Sequence, residues 1–185
     1  MMKALMIALL VPALAAGQTP AVQAIIDSAA RAGLPTRPLV EKALEGSAKR
    51  ASPDAIAAAV RALAVALADA RSALGTATTD ELNAGAVALR LGARPEDLSR
   101  LRAARSGGNL VVPLGVLSDL VARGVPVDTA SNVVVALASN GDDEYLAFRQ
   151  RVDRDIDLGA APIGSVIGAL NSSGRTALQS PGKKP

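Results

Sequence analysis

The stretch that decides the fold is Ser52-Pro53-Asp54-Ala55-Ile56-Ala57-Ala58-Ala59-Val60-Arg61-Ala62-Leu63-Ala64-Val65-Ala66-Leu67-Ala68-Asp69-Ala70-Arg71-Ser72-Ala73-Leu74. It opens on a helix-start signal: a serine, then a proline whose missing N–H costs nothing in a first turn. Beyond it, Ile56, Val60, Leu63, Leu67 and Leu74 fall at steps of 4, 3, 4 and 7. That spacing puts one apolar stripe on a 3.6-residue turn, with Asp54, Arg61, Asp69 and Ser72 on the opposite side. The reading is a helix over 53–74, burying the stripe.

Outward from this helix, the same punctuation recurs. Gly33-Leu34-Pro35, Gly92-Ala93-Arg94-Pro95, Gly124-Val125-Pro126 and Gly159-Ala160-Ala161-Pro162 each pair a glycine, able to take the left-handed position after a helix, with a proline suited to the next first turn. Thr78-Thr79-Asp80-Glu81 has capping-box spacing. The chain therefore divides into nine short helices over 20–32, 37–50, 53–74, 79–91, 95–106, 111–123, 128–139, 142–157 and 162–171. In the first, Val22, Ile25, Ile26 and Ala29 form the buried face. Val111-Val112 and Val133-Val134-Val135 favour strands in isolation. Neither has an alternating partner, so both read as helical.

The fold class is all-α, with helices in antiparallel pairs. Two architectures fit: an irregular bundle, or a short solenoid-like array of helical hairpins. For the array, Ala30-Arg31-Ala32-Gly33-Leu34-Pro35 resembles Val121-Ala122-Arg123-Gly124-Val125-Pro126, and Gly92 and Gly159 lie 32 and 35 residues either side of Gly124. Spacings of that size suit stacked hairpins. For the bundle, these turns are simply good cap chemistry. The residues inside the helices match no repeat consensus.

The chain's start reads as a leader. Met1-Met2-Lys3 is a short positive segment, Ala4 to Val11 is apolar, Pro12 breaks the run, and Ala13-Leu14-Ala15 fits a small-residue cleavage site. Residues 1–15 are thus expected to be a signal peptide of bacterial type, and 16–170 a single helical domain, secreted or periplasmic. Residues 171–185 are polar with glycine and proline, and are expected to be a disordered tail.

Composition narrows the chemistry. The chain has no cysteine and no histidine. Disulfides, thiolate nucleophiles, Ser-His-Asp triads and His/Cys zinc sites are therefore ruled out. Tyr145 and Phe148 are the only aromatics, too few for base-stacking or sugar-stacking platforms. Net charge is only +3, so nucleic acid is not implied. No cofactor is expected.

Three groups of residues remain as candidate sites. Asp153, Asp155 and Asp157 alternate like the start of a calcium loop. The match then fails, because Leu158 stands where the loop needs glycine and Gly164 where it needs glutamate. The structural alternative is pairing of Arg149 with Asp153 and of Arg151 with Asp155 along one helix. An arginine from a neighbouring helix would equally offset the unfavourable helix dipole at Asp155 and Asp157. Next, Arg90, Arg94, Arg100, Arg102 and Arg105, with Arg123, concentrate positive charge, either as an anion-binding face or as a solvated face in which Arg102 and Arg105 pair with Glu96, Asp97 and Asp119. Finally, Asp142-Asp143-Glu144 suits a helix N-terminus, Ser106-Gly107-Gly108-Asn109 serves as a link between helices, and Tyr145 and Phe148 plug a small-residue core.

The leading expectation is an exported, non-enzymatic helical scaffold that binds a protein or another envelope component. The alternatives are a polyanion binder using the central arginines and a metal-dependent protein, a hydrolase among the possibilities, built on the three aspartates.

Overall fold

The computed structural model describes residues 19–179, with side chains to residue 172. The expected leader, 1–15, lies outside the described residues. Among those described there are nine helices and no strand. They are α1 (Pro20–Arg31), α2 (Arg37–Ala48), α3 (Pro53–Leu74), α4 (Thr79–Arg90), α5 (Pro95–Ala104), α6 (Val111–Ala122), α7 (Val127–Ala136), α8 (Asp142–Asp157) and α9 (Pro162–Gln179).

The starts are chemically capped. Thr19 Oγ1 accepts from the Val22 N–H at 3.3 Å, and Ser52 Oγ accepts from the Ala55 N–H at 3.3 Å. The capping box at Thr78 is complete. The Glu81 N–H donates to Thr78 Oγ1 at 3.2 Å, and the Thr78 N–H donates to Glu81 Oε2 at 2.8 Å. The ends close as six-residue loops. The N–H groups of Leu34, Ala93, Val125 and Ala160 reach back to the carbonyls of Ala29, Ala88, Leu120 and Asp155 at 2.9–3.0 Å. Gly33 illustrates the need for glycine there, with φ of 70°.

The ends of α2, α5, α7 and α9 differ from the sequence reading by two residues or more, with α5 stopping at Ala104 and α7 at Ala136 instead of at 106 and 139. α2 stops at Ala48, two residues early, because Arg50 adopts φ of 55° and the Ala51 N–H donates to the Gly46 carbonyl at 3.0 Å. The loop is of the same kind with arginine in the left-handed position, so no glycine announces it. At the other end, α9 continues to Gln179 instead of stopping at 171. Arg175, Ala177, Leu178 and Gln179 are good helix formers, and propensity outweighs the polar composition that argued against a helix there. Val133-Val134-Val135 is helical within α7, where Val133 and Val134 are buried: tertiary packing overrides β-propensity.

Packing runs along the chain. α3 is the hub of one end, lying against α1, α2, α4 and α5; α4 then packs on α6, α6 on α7 and α8, and α8 on α9. The stripe from the sequence sits inside, with Val60 and Leu67 wholly buried. Gly85 marks a close approach of three elements. A Cβ there would stand 3.2 Å from Ala70, Leu74 and Leu98 side-chain carbons at once, so α4 meets α3 and α5 without room for a methyl group. Tyr145 and Phe148 are fully buried, and the tyrosine hydroxyl donates to the Val134 carbonyl at 2.7 Å.

Candidate functional site

The sequence-derived charged residues meet one another. Glu81 is 4% exposed at the third position of α4. Its carboxylate accepts from Arg102 Nη2 at 2.7 Å and from the Leu110 N–H at 2.9 Å, besides the Thr78 N–H. Burial pushes its pKa up, but these donors outweigh that and hold it below the usual carboxylate value. Asp97, at the same position of α5, behaves alike. Burial is opposed by the side chain and N–H of Arg94, with Arg100 adding to them at 3.6 Å, and the net shift is downward. Arg94 also reaches Asp128 at 2.8 Å, and Arg100 reaches Asn132 at 2.9 Å, tying α5 to α7. Arg105 spans to Asp142 at 2.6 Å and lies 5.4 Å from the Tyr145 ring centre.

Arg102 and Arg105 therefore do pair with carboxylates, but with Glu81 and Asp142 instead of Glu96, Asp97 or Asp119. The true partners lie 21 and 37 residues away, which no local spacing rule reaches. Of the five candidate anion-binding arginines, Arg90 alone makes no ion pair among the described residues. It lines a shallow pocket of about 260 Å³ beside Glu41, Lys42 and Glu45.

The aspartate trio is also divided. Arg123, at the end of α6, holds Asp153 at 3.1 Å and Asp157 at 2.8 Å, and these contacts raise its own pKa. Asp155 is not part of that pair. Among the described residues no three of His, Cys, Asp and Glu come together as a metal-binding group. The expected pairs along α8 give way to contacts that are longer in sequence. Arg149 binds Asp119 at 2.7 Å and Arg151 binds Glu144 at 2.7 Å. A neighbouring helix thus supplies the positive charge that the end of α8 needs.

The opening that sequence reading missed is apolar. Ala21, Ala24 and Ser28 of α1 face Ala64, Val65 and Ala68 of α3 across a groove of about 520 Å³, with Arg61 on its wall. Small side chains on both helices leave a trough between them, and Val65 is 55% exposed at its edge. A signal existed. From Ala62 to Ala68 every residue of α3 is apolar, which is more than one buried stripe needs. The inward positions Leu63 and Leu67 explain half of it; Ala64, Val65 and Ala68 are left over. No helix of the described residues is long and apolar enough to cross a membrane. The chain matches no protein-family model, and neither a curated protein sequence nor a solved structure matches it.

Proposed function

We propose that this chain is an exported, non-enzymatic scaffold that binds a protein partner by accepting an amphipathic helix in the groove between α1 and α3. The observation that carries this is the open apolar trough itself: exposed Val65 over a floor of alanines is the chemistry of helix-in-groove recognition. The charged groups support it from the other direction. Arg94, Arg100, Arg102 and Arg105 are engaged by carboxylates of the same chain, so they offer little to a polyanion. The leader-like start at 1–15 supports export.

A photo-crosslinking residue at Val65 tests the binding half. It is expected to give a discrete adduct with protein from the envelope of the producing cell, kept at high salt and lost when Ala24→Trp fills the groove. The same crosslinker at Asp69, exposed on α3 outside the groove, is expected to give none. Equal adducts at both positions, or none at Val65, reject the reading; steep loss with salt favours the polyanion alternative. For the export half, the exported fraction should contain a chain beginning just after Ala15, and a chain found only unprocessed in the cytosol rejects it.

A further inference from the structure

The groove at one end of the packing order has a counterpart at the other. α9 buries Ser165, Val166 and Ala169 against the rest of the molecule. Its other side carries Ile163 and Ile167, one turn apart and 47% and 53% exposed. Beside them the surface is smooth, because Gly164 and Gly168 have open space where a Cβ would stand. From Pro162 to Ser172 the helix has no charged residue.

We propose that the groove between α1 and α3 receives α9 of a second copy of this chain, joining copies head to tail. This rests on the groove being a helix-binding site, as argued above. The fit has three parts. In shape, two isoleucines projecting from a glycine-smoothed helix match a trough floored by Ala24, Ala64 and Ala68, since small residues on both sides let helix axes approach closely. In length, α1 has 12 residues and spans about 18 Å at 1.5 Å per residue; α9 has 18 residues, and its charge-free first part, Pro162 to Ser172, covers about 16 Å of that groove. In charge, Arg61 stands on the groove wall, and Asp155 stands on the last turn of α8, against which α9 packs. Neither has an ion-pair partner among the described residues, since Arg123 takes Asp153 and Asp157.

The placement of the two faces sets the mode of assembly. Packing proceeds from α1 through α3, α4, α6 and α8 to α9, so the groove belongs to the first helix and the ridge to the last. Stacked helical units need polar outer faces on their terminal members to stay single, and here the groove beside α1 and the ridge on α9 are apolar. A contact between two different faces leaves one of each free for a further copy, giving rings or open filaments.

The test is sedimentation of the purified full chain over roughly a hundredfold range of concentration. The parent is expected to rise in mass with concentration. Val65→Asp and Ile167→Asp, both at exposed positions, are each expected to remain monomeric while keeping the parent's helical circular dichroism. Mixed in equal amounts they are expected to give a species of twice the monomer mass and no larger, because each supplies the face the other lacks. If either variant misfolds, Ala24→Trp and Ile163→Ser replace it. A parent monomeric at every concentration overturns the proposal, as does association that survives either substitution, a mixture that stays monomeric, or recruitment of the parent to lipid vesicles through Ile163 and Ile167 in place of self-association. If Val65 crosslinks a different protein while the parent sediments as a monomer, the groove reading stands and this proposal alone fails. If Val65 crosslinks nothing, both fail.

Discussion

Helices α1–α3 and helices α4–α9 are held together by different chemistry. In the first group every ion pair among the described residues is local to α2: Arg37 with Glu41, and Lys42 and Lys49 with Glu45. The polar tie between these helices is Arg71, which donates to the carbonyls of Ala32 and Gly33. Otherwise aliphatic stripes do the joining. In the second group arginines bridge between helices, at Glu81–Arg102, Arg94–Asp128, Arg105–Asp142, Arg123–Asp157 and Arg149–Asp119. The difference has a physical consequence. Apolar stripes bring helices together without fixing one sharp partner, and they leave apolar flanks such as Val65 uncovered. Charged bridges demand one geometry, so each satisfied pair also sets which helices are neighbours.

The largest expected effect breaks the charged group at its most buried point. Glu81→Ala leaves Arg102 with only the Gly108 carbonyl and strips the acceptor from the N–H groups of Thr78 and Leu110, and should cost about 3–5 kcal/mol, read from the urea midpoint. A loss below about 1 kcal/mol would show that the bridges contribute nothing beyond packing. The matching cut on the other side is Leu67→Ala at the wholly buried centre of α3. It should cost about 2–5 kcal/mol, with no change in salt dependence.

The two regions were unequally legible in the sequence. Helix starts and ends are local chemistry, so Thr78 with Glu81 and Gly33 before Pro35 announced themselves within four residues. The same locality explains the miss at Arg50, where the left-handed turn uses a residue type that gives no warning. Arginine partners were misassigned for the opposite reason: the bond from Arg105 to Asp142 spans 37 residues and depends on the end of α5 meeting the start of α8. The groove was hidden for a third reason. A stripe shows which side of a helix is covered, but whether the opposite side is covered depends on the neighbours the fold brings.

Acid should separate the regions next. Glu81 and Asp97 both have folded pKa values below their unfolded ones. Their contribution is therefore fully present above the unfolded values of about 4.3 and 3.9, and is lost as pH falls through the lower folded values. The melting temperature should hold from neutrality to about pH 5 and fall below about pH 4. Glu45 is held to about 2 by Lys42 and Lys49, yet it is exposed, so solvent screening leaves it little weight in that fall. Glu81→Gln with Asp97→Asn should flatten the acid limb. A limb of undiminished steepness would move the acid response elsewhere.

A smaller effect belongs to the turns, which serve both regions. Gly33→Ala places a Cβ on a residue at φ of 70°, with Arg71 Nη1 3.5 Å away. The left-handed backbone should cost about 1–2 kcal/mol, since the contact itself is ordinary. The helical circular dichroism should be unchanged while the urea midpoint drops. An unchanged midpoint would mean that Arg71, not the glycine, fixes this turn.

The smallest expected effect is the most discriminating for the end of α8. Arg123 is half exposed, so Arg123→Ala should cost below about 1 kcal/mol. It would nevertheless leave Asp153, Asp155 and Asp157 at a helix C-terminus with no compensating charge, where the dipole disfavours each of them. Calcium is then the natural probe. In the parent chain the guanidinium occupies the place a cation would take, and added calcium should not move the melting temperature. In the variant Asp153 and Asp157 are released, and a small calcium-dependent rise is expected, by the linkage that lets any ligand of the folded state stabilise it. A rise in the parent of equal size would mean that the arginine and a cation do not compete, and the trio would regain its standing as a metal site. No rise in either would mean that the three aspartates never converge, with or without Arg123.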